Sequence, residues 1–245
     1  MKCFTSGLDE GFLPLSARLG ADPMLIQGAG GNTSIKIGSS MWVKASGKWL
    51  RDSLTSPIFL ALDRQASFEQ FLTGSAELHG WSGPANLRPS IETLLHVCLP
   101  QRVVLHVHSI NALAYAVSQD GRQRLEKKLN GLDWRWVPYV KPGLPLAHSI
   151  HSSLETGCPD IFVLQNHGLV VAGESPSSAE DLLEEVENRL HVEPRLSALP
   201  SVDDDLHRFA TSIAWKFPKH PEVHFLGSDP LAFEIVTSGV LCPDQ

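Results

Sequence analysis

The stretch RPSIETLLHVCLPQRVVLHVHS, residues 88–109, contains the pattern that decides the fold. Its first half predicts a helix over Ser90–Leu99, with Pro89 directly before it. Its second half predicts a buried strand over Val103–Val107, because this run is apolar apart from one histidine and no turn residue interrupts it. A helix that passes so directly into a strand is typical of a sheet covered by helices.

The alternation of helices and strands continues on both sides of this stretch. Before it we predict a helix at 8–20, strands at Ser34–Ile37, Met41–Ala45 and Pro57–Leu62, and a hairpin turn at Gly38-Ser39-Ser40. After it we predict helices at Ser109–Val117, Arg122–Leu129, Leu144–Glu155 and Ser177–His191, and strands at Trp134–Val140, Ile161–Leu164 and Leu169–Ala172. The sequence therefore predicts an α/β fold whose sheet, because of the hairpin, is not purely parallel.

We predict a single domain over residues 1–245, with a motif-bearing core at about 18–190 and a tail at 203–245. Val192–Asp205 reads as a surface connection, and the tail as a helix near Leu206–Phe217 followed by a strand at Ala232–Val236. The helix that ends near His191 begins with Ser177-Ser178-Ala179-Glu180, a capping-box pattern.

Composition excludes several classes of protein. The 245 residues are 42% hydrophobic and 19% charged, which is typical of a soluble globular protein. A net charge of −7 argues against nucleic acid as the main partner, and no apolar run approaches the ~20 residues of a membrane helix. The N-terminus lacks the apolar run of a signal peptide, and the four widely spaced cysteines form no CxxC pair. We therefore expect reduced thiols and a cytoplasmic protein.

Three histidines form a candidate metal site. His106 and His108 are two residues apart on a predicted strand, so their side chains lie on one face, and His167 follows another apolar strand in FVLQNHG. Three neutral imidazoles would leave one position on a zinc ion open for substrate or water. Spacing alone leaves a second interpretation open, in which two unrelated histidines and a turn histidine never meet.

Glu92 is the candidate base, because it lies near the start of the helix that leads to the histidine strand. The alternative is an acidic residue that only complements the helix dipole, and helix chemistry alone favours that alternative. His96, one helical turn later, is either a partner of the site or a packing residue.

The loop GAGGNTS, residues 28–34, lacks the third glycine of a dinucleotide loop and is followed by a hairpin, so it does not predict a dinucleotide site. Gly30 and Gly31 could instead present backbone amides to an anion, with side-chain donors from Asn32-Thr33-Ser34. Ser46-Gly47 could return to the same place. A tight turn with no ligand is the alternative.

Taken in order, these motifs resemble the class II aldolase/adducin family. The likeness covers about residues 18–190 and rests on Gly31-Asn32-Thr33-Ser34, Ser46-Gly47, Pro89-Ser90-Ile91-Glu92, His106-Val107-His108 and Asn166-His167-Gly168. The sequence is most similar to the aldolase portion of bifunctional rhamnulose-phosphate aldolase/dehydrogenase-type proteins, through GAGGNTSIK, WVKASGKWL, RPSIETLLH and SGVLCPDQ. Such proteins continue beyond the last motif, so the likeness implies a shortened C-terminus without the dehydrogenase portion.

The resemblance implies a three-layer α/β/α fold around a largely antiparallel sheet, and a homotetramer with sites at subunit interfaces. It implies Zn²⁺, or another divalent transition metal, on His106, His108 and His167, and acid/base work by Glu92. A small sugar or sugar phosphate would be the partner, with its phosphate on Gly31, Asn32, Ser46, Gly47 and Ser90.

The implied reaction is retro-aldol cleavage of a ketose or ketose phosphate through a metal-bound enediolate. An epimerase, a decarboxylase or a dehydratase could use the same site, and a non-catalytic adducin-like module is a further alternative. Two departures matter for the substrate. Ile91 replaces a second serine of the phosphate-ketose aldolases, and neither Tyr115 nor Tyr139 matches the tyrosine that those enzymes take from a neighbouring subunit.

Overall fold

The computed structural model describes residues 8, 11–193, 204–216 and 229–238. The chain divides into two compact units, Met1–Val192 and Glu193–Gln245. The predicted core at 18–190 lies within the first unit, and the assignment of the whole chain to one domain stays a prediction.

One seven-stranded sheet organises the described part of the first unit. Its strands are β1 (Asn32–Ile37), β2 (Ser40–Lys44), β3 (Phe59–Asp63), β4 (Val103–Val107), β5 (Trp134–Val137), β6 (Ile161–Leu164) and β7 (Gly168–Gly173). Their order across the sheet is β3-β2-β1-β4-β7-β6-β5. Neighbouring strands are antiparallel except β5 and β6, which are parallel, so the prediction of a largely antiparallel sheet is confirmed.

Helices cover both faces of this sheet. They are α1 (Phe12–Ala21), α2 (Arg64–Leu72), α3 (Thr93–Cys98), α4 (Ile110–Ala116), α5 (Gly121–Lys128), α6 (Leu144–Ser153) and α7 (Pro176–Leu190). Alternate residues of β4 separate the two faces: Val103, Leu105 and Val107 pack in a core with α1, α4, α5 and α7, whereas Val104 packs in a core with α2, α3 and α6. The three-layer α/β/α prediction is therefore confirmed. No helix among the described residues is both long enough and apolar enough to span a membrane.

The second unit, in its described part, consists of α8 (Asp204–Ser212) and α9 (Pro230–Ser238). The strand predicted at Ala232–Val236 is wrong, because this apolar run belongs to α9; a short apolar run has no periodicity that separates strand from helix. The helix predicted near Leu206–Phe217 corresponds to α8. Residues 194–203, in the predicted connection, and residues 239–245, which hold most of SGVLCPDQ, lie outside the described residues.

The cap of α7 and the presence of α2 also differ from the prediction. α7 is capped by Ser175, whose side chain accepts a hydrogen bond from Ser178 N, so the predicted capping box two residues later is wrong. α2 was not predicted because its sequence, RQASFEQFL, is mostly polar; the Asp63 side chain caps it by accepting from Ala66 N.

Polar side chains of β1 are buried against the segment that contains α3. Three hydrogen bonds join the two: Asn32 Nδ2 donates to Glu92 Oε2 (2.8 Å), Ser34 Oγ is bonded to His96 Nδ1 (2.8 Å), and Lys36 Nζ donates to the Gln101 carbonyl (2.8 Å). We call these six residues the polar ladder. Because β1 side chains at alternate positions share a face, the ladder fixes β1 and α3 relative to each other.

Lys36 is the member of the polar ladder whose burial lowers the stability of the protein. It is 5% exposed, and burial, with the charge of Arg64 added, lowers the pKa of its ammonium from 10.5 to about 7. Between pH 7 and 10.5 the unfolded chain therefore binds more protons than the folded one. The loss of folding stability caused by burying this lysine is largest below about pH 7 and disappears as the pH rises to 10.5.

We predict that Lys36→Met stabilises the protein by about 1–3 kcal/mol below pH 7, because it replaces a buried charge by an apolar side chain of similar length. This advantage should shrink as the pH rises from 7 to 10.5, where the wild-type amine is already neutral when folded. Urea unfolding of both proteins across this pH range measures the difference. A difference that does not change with pH would contradict the buried charge.

Candidate metal centre

The three predicted histidines meet at one end of the β4–β7 ladder. Val107 of β4 pairs with Leu169 of β7. His108 directly follows the end of β4 and His167 directly precedes the start of β7, so the two histidines lie at neighbouring strand ends. Gly168 makes this approach possible, since a Cβ there would lie 2.5 Å from the Val107 carbonyl oxygen. Asn166, with a φ of 55°, forms the left-handed turn that directs His167 toward β4.

The imidazole rings pack edge to face around a common point. Ring centroids are 5.1 Å apart for His106 and His108, 4.9 Å for His106 and His167, and 5.4 Å for His108 and His167. One ligand atom from each ring and one from the Glu92 carboxylate all lie within 4.8 Å of one another. Zinc–nitrogen bonds of about 2 Å place neighbouring ligands of a tetrahedral ion about 3.3 Å apart, so the ligand atoms would move closer together around an ion.

Hydrogen bonds orient His106 for this arrangement. Its Nδ1–H donates to the Leu169 carbonyl (3.1 Å), which directs Nε2 toward the centre of the cluster. Nε2 of His106 and Nε2 of His167 both lie within hydrogen-bonding distance of one oxygen, Glu92 Oε1, at 3.2 and 2.9 Å. A backbone carbonyl behind a ring nitrogen is the usual support of a metal-binding histidine.

Glu92 occupies the N-cap of α3, and its carboxylate points into the cluster. Burial by itself raises the pKa of this carboxyl, but the charge and hydrogen bond of His106, followed by those of His167, hold the pKa well below its ordinary value. The same carboxylate accepts from Asn32 Nδ2, while Asn32 Oδ1 is buried with no partner among the described residues. The site thus combines an ionised carboxylate with an unused acceptor.

His96 proves to be a ladder residue. It is fully buried beside Ser34, and burial, then the charges of His106 and Lys36, holds the pKa of its imidazole well below the ordinary value. A neutral His96 supports α3 one turn after Glu92, which favours the partner interpretation over packing alone.

The glycine-rich loop lies beside this cluster. Gly31, with a φ of +61°, precedes Asn32, which pairs with His106 across β1 and β4. The expectation that Thr33 and Ser34 donate to an anion is wrong, because both hydroxyls are buried and bonded inside the protein, to Ser16 and His96. Of the loop's predicted donors, Gly30, Gly31 and Asn32 adjoin the cluster: a Cβ at Gly30 would lie 3.0 Å from His108 Nδ1, and Asn32 bonds Glu92.

Lys44 is a site residue that the sequence analysis missed. Its buried ammonium donates to the carbonyls of Ala29 (2.7 Å) and Lys48 (2.8 Å), and so ties the glycine-rich loop to the turn that contains Ser46-Gly47. Burial lowers the pKa of this ammonium to about 8, although the Glu92 carboxylate opposes that shift. Lys44 therefore brings the glycine-rich loop and the Ser46-Gly47 turn together, as expected from the sequence.

Ser46 and Ser90 line an open cavity of about 370 Å³. Ser90 lies two residues before Glu92 in the sequence. Arg88 and His79 also line it, and neither side chain has a hydrogen bond or ion pair with the described residues; only their backbone groups bond. Ile91 lines the same cavity and is 65% exposed. Glu77 is the carboxylate on its rim. Gly47 adopts a φ of +69° in the adjoining turn but is not part of the cavity wall.

Fold and site together define an α/β protein with a histidine–carboxylate cluster that could hold a metal ion at one sheet end. A sequence profile described as "Class II Aldolase and Adducin N-terminal domain" matches residues 15–193. The chain belongs to the class II aldolase and adducin family, as the motifs predicted.

Individual proteins are also similar to this chain. YuxG of Bacillus subtilis (strain 168), described as an uncharacterized oxidoreductase, is 30% identical over 175 residues, which cover 64% of this chain and 25% of that protein. The chain thus spans about a quarter of the length of this relative. The N-terminal class II aldolase domain of a conserved protein from Thermoplasma acidophilum is 26% identical, with a TM-score of 0.62, covering 74% of this chain and 91% of that one. L-fuculose-1-phosphate aldolase from Thermus thermophilus shares the fold at 18% identity and a TM-score of 0.54, over 76% of this chain and 92% of that one.

We predict that Gly31→Ala destabilises the loop much more than Gly28→Ala. Both glycines have a φ of +61°, but a Cβ at Gly31 would lie 2.8 Å from the His106 carbonyl, whereas a Cβ at Gly28 meets nothing within 4 Å. Backbone strain alone costs about 1–2 kcal/mol, and the clash should add at least as much at Gly31. Thermal unfolding of the two variants compares them directly. Equal losses would mean that the loop moves freely away from β4.

Proposed function

We propose that this protein is a metal-dependent lyase that cleaves a ketose or ketose phosphate by a retro-aldol reaction. The observation that carries the proposal is the convergence of His106, His108 and His167 on the ionised carboxylate of Glu92. Class II aldolases use a divalent metal, and three imidazoles with an adjacent carboxylate suit zinc and several other transition metals.

The three histidines are the proposed metal ligands. The Leu169 carbonyl supports this role for His106, since it fixes the ring nitrogen that faces away from the cluster. When bound, the metal supplies a Lewis acid for the substrate oxygens that gain charge during cleavage.

Glu92 is the proposed acid/base. Its low pKa makes it a carboxylate at neutral pH, able to accept a proton and return it to the carbon that cleavage releases. Asn32 holds one carboxylate oxygen, Oε2, through Nδ2, while the other, Oε1, faces His106 and His167 and is the oxygen proposed to move the proton. The buried Oδ1 of Asn32 offers an acceptor for a substrate hydroxyl.

The cavity of Ser46 and Ser90 is the proposed place for the far end of the substrate. Together with Gly31, Asn32 and Gly47, these two serines form the proposed phosphate site. Ile91 offers no hydroxyl there, but the Arg88 guanidinium on the same wall provides donors suited to a phosphate. Local positive charge thus exists in a chain of net charge −7.

Epimerisation, decarboxylation and dehydration remain alternatives because they share the charge-stabilising step. A non-catalytic module is disfavoured by the intact carboxylate–histidine cluster. The oxidoreductase description of YuxG applies to a protein of which this chain matches only 25%. A homotetramer in the cytoplasm stays part of the proposal.

Metal binding is the first test. We predict that the wild-type protein binds about one Zn²⁺ per chain and gains about 3 kcal/mol of stability at a metal concentration of one hundred times Kd. His108→Ala should lose both effects, whereas His79→Ala should keep them, because His79 is exposed and bonds only through its backbone. Metal analysis after gel filtration and thermal unfolding provide the measurements. Retention of the ion by His108→Ala would remove this histidine from the ligand set.

Cleavage is the second test. Metal-loaded protein should be screened with ketose 1-phosphates, unphosphorylated ketoses and 3-oxo acid phosphates, while aldehyde and carbon dioxide are both monitored. We predict aldehyde release, and a loss of about 10²–10⁴-fold in kcat for Glu92→Gln with metal retained. Glu180→Gln, a change on the surface of α7, is the matched control. Full activity in Glu92→Gln would refute the acid/base role, and carbon dioxide without aldehyde would favour decarboxylation.

A further inference from the structure

A second cavity, of about 380 Å³, lies on the same face of β1 as Asn32 but at the other end of the polar ladder. The β1–β2 turn, the start of α2 and the end of α3 enclose it. Its polar wall contains Lys36, Ser39 and Arg64, and its apolar wall contains Met41, Phe68 and Leu99. Lys36 is four residues beyond Asn32 on β1, about 13 Å along the strand, so this cavity is separate from the metal centre.

The Lys36 ammonium has an incomplete set of partners. It can donate three hydrogen bonds, and it makes one, to the Gln101 carbonyl. No carboxylate within the described part of the chain forms an ion pair with it, and Glu174 acts on it only as a more distant charge. A buried cation without an ion-pair partner lowers the stability of the folded protein. Binding of a negatively charged ligand beside it would offset much of this loss.

Arg64 supplies a second cation to the lining of the cavity. One of its five N–H groups is used, by Nη1 donating to the Gly38 carbonyl at 3.1 Å. Cys98, which also lines the cavity, is no counter-charge, because burial raises the pKa of its thiol to about 12. Two cations therefore face a cavity whose own wall contains no carboxylate.

We propose that this cavity binds the carboxylate group of a small organic acid, between the Lys36 ammonium and the Arg64 guanidinium. The organic body of the acid contacts Met41, Phe68 and Leu99. A single carboxylate suits the site because much of the wall is apolar, where a dianion would lose its hydration without enough donors. This site is independent of the aldolase proposal and is tested separately.

Binding should depend on pH in one direction. The titratable groups that act on Lys36 or respond to its charge are Arg64 from α2, His96 and Cys98 from α3, and Glu174 after β7, and the ammonium has a pKa of about 7 without ligand. A bound carboxylate stabilises the protonated form, so binding above pH 7 takes up a proton. Affinity should therefore fall as the pH rises from 7 toward 9.

The experiment uses the full chain with benzoate as the probe, benzamide as its uncharged counterpart and inorganic phosphate as a dianionic competitor. Thermal unfolding and ¹H–¹⁵N NMR titration report binding. Wild-type protein should show saturable stabilisation by benzoate and shifts at the amides of Gly38 and Ser39. Lys36→Met and Arg64→Gln should each weaken benzoate at least about tenfold, as expected when a charged hydrogen bond is lost. Arg122→Gln, on α5, is the matched control and should bind as the wild type does.

Each remaining outcome has a definite meaning. Equal effects of benzoate and benzamide would overturn the need for a negative charge. Unchanged benzoate binding in Lys36→Met, which we expect to fold at least as well as the wild type, would overturn the site. So would the absence of any benzoate response in the wild type, and stabilisation by phosphate alone would overturn the assignment to a carboxylate.

Discussion

The polar ladder between β1 and the α3 segment is the constraint on which the rest of the first unit depends. Its three hydrogen bonds lie under a helix layer, where an unpaired polar group costs roughly as much as a core substitution. Each bond therefore fixes a register: a shift of β1 by one residue would turn Asn32, Ser34 and Lys36 toward the other core and leave their partners unpaired. Because Asn32 pairs with His106 across the sheet, fixing β1 also fixes the carboxylate of Glu92 against the histidines of β4 and β7.

The two ends of the ladder show how the same burial has opposite chemical consequences. At Glu92, burial alone opposes ionisation, but two imidazoles outweigh it and the carboxylate stays charged. At Lys36, burial also opposes ionisation, and no carboxylate of the described residues lies within ion-pair distance to offset it, so the pKa of the ammonium falls to about 7. The difference lies in the partners and not in the depth of burial. A charged carboxylate with partners suits a proton-transfer site, whereas a cation without an ion-pair partner suits a site completed by a ligand.

The sequence predicted what depends on local pattern and missed what depends on distant contacts. Strands β4 and β6 were predicted with their observed bounds, because runs of buried apolar residues between turn signals have a single simple interpretation. α2 was missed and the strand in the C-terminal tail was wrong, since neither segment has a clear hydrophobic period. In the site, the ordered motifs identified Glu92 and the three histidines, but no motif could show that Thr33 and Ser34 point into the protein. Lys44 and Arg88 were missed for the same reason: a lysine in VKASGKW and an arginine before a proline become informative only when the loops they face are known.

The chemistry of the metal cluster and the choice of substrate are governed by different parts of the molecule. A divalent metal held by the three imidazoles would stabilise negative charge on any neighbouring oxygen, so the same site would suit cleavage, epimerisation, decarboxylation and dehydration alike. Selection among them must come from groups that hold the substrate at a distance from the cluster. In the function proposed for this chain, those groups are the hydroxyls of Ser46 and Ser90 with the guanidinium of Arg88, which line one cavity beside an exposed Ile91. An arginine can donate two parallel hydrogen bonds to a phosphate or carboxylate, whereas a serine donates one. The absence of a hydroxyl at Ile91 therefore need not weaken the binding of an anionic substrate. It would instead change where that anion sits relative to Glu92, and hence which carbon receives the proton.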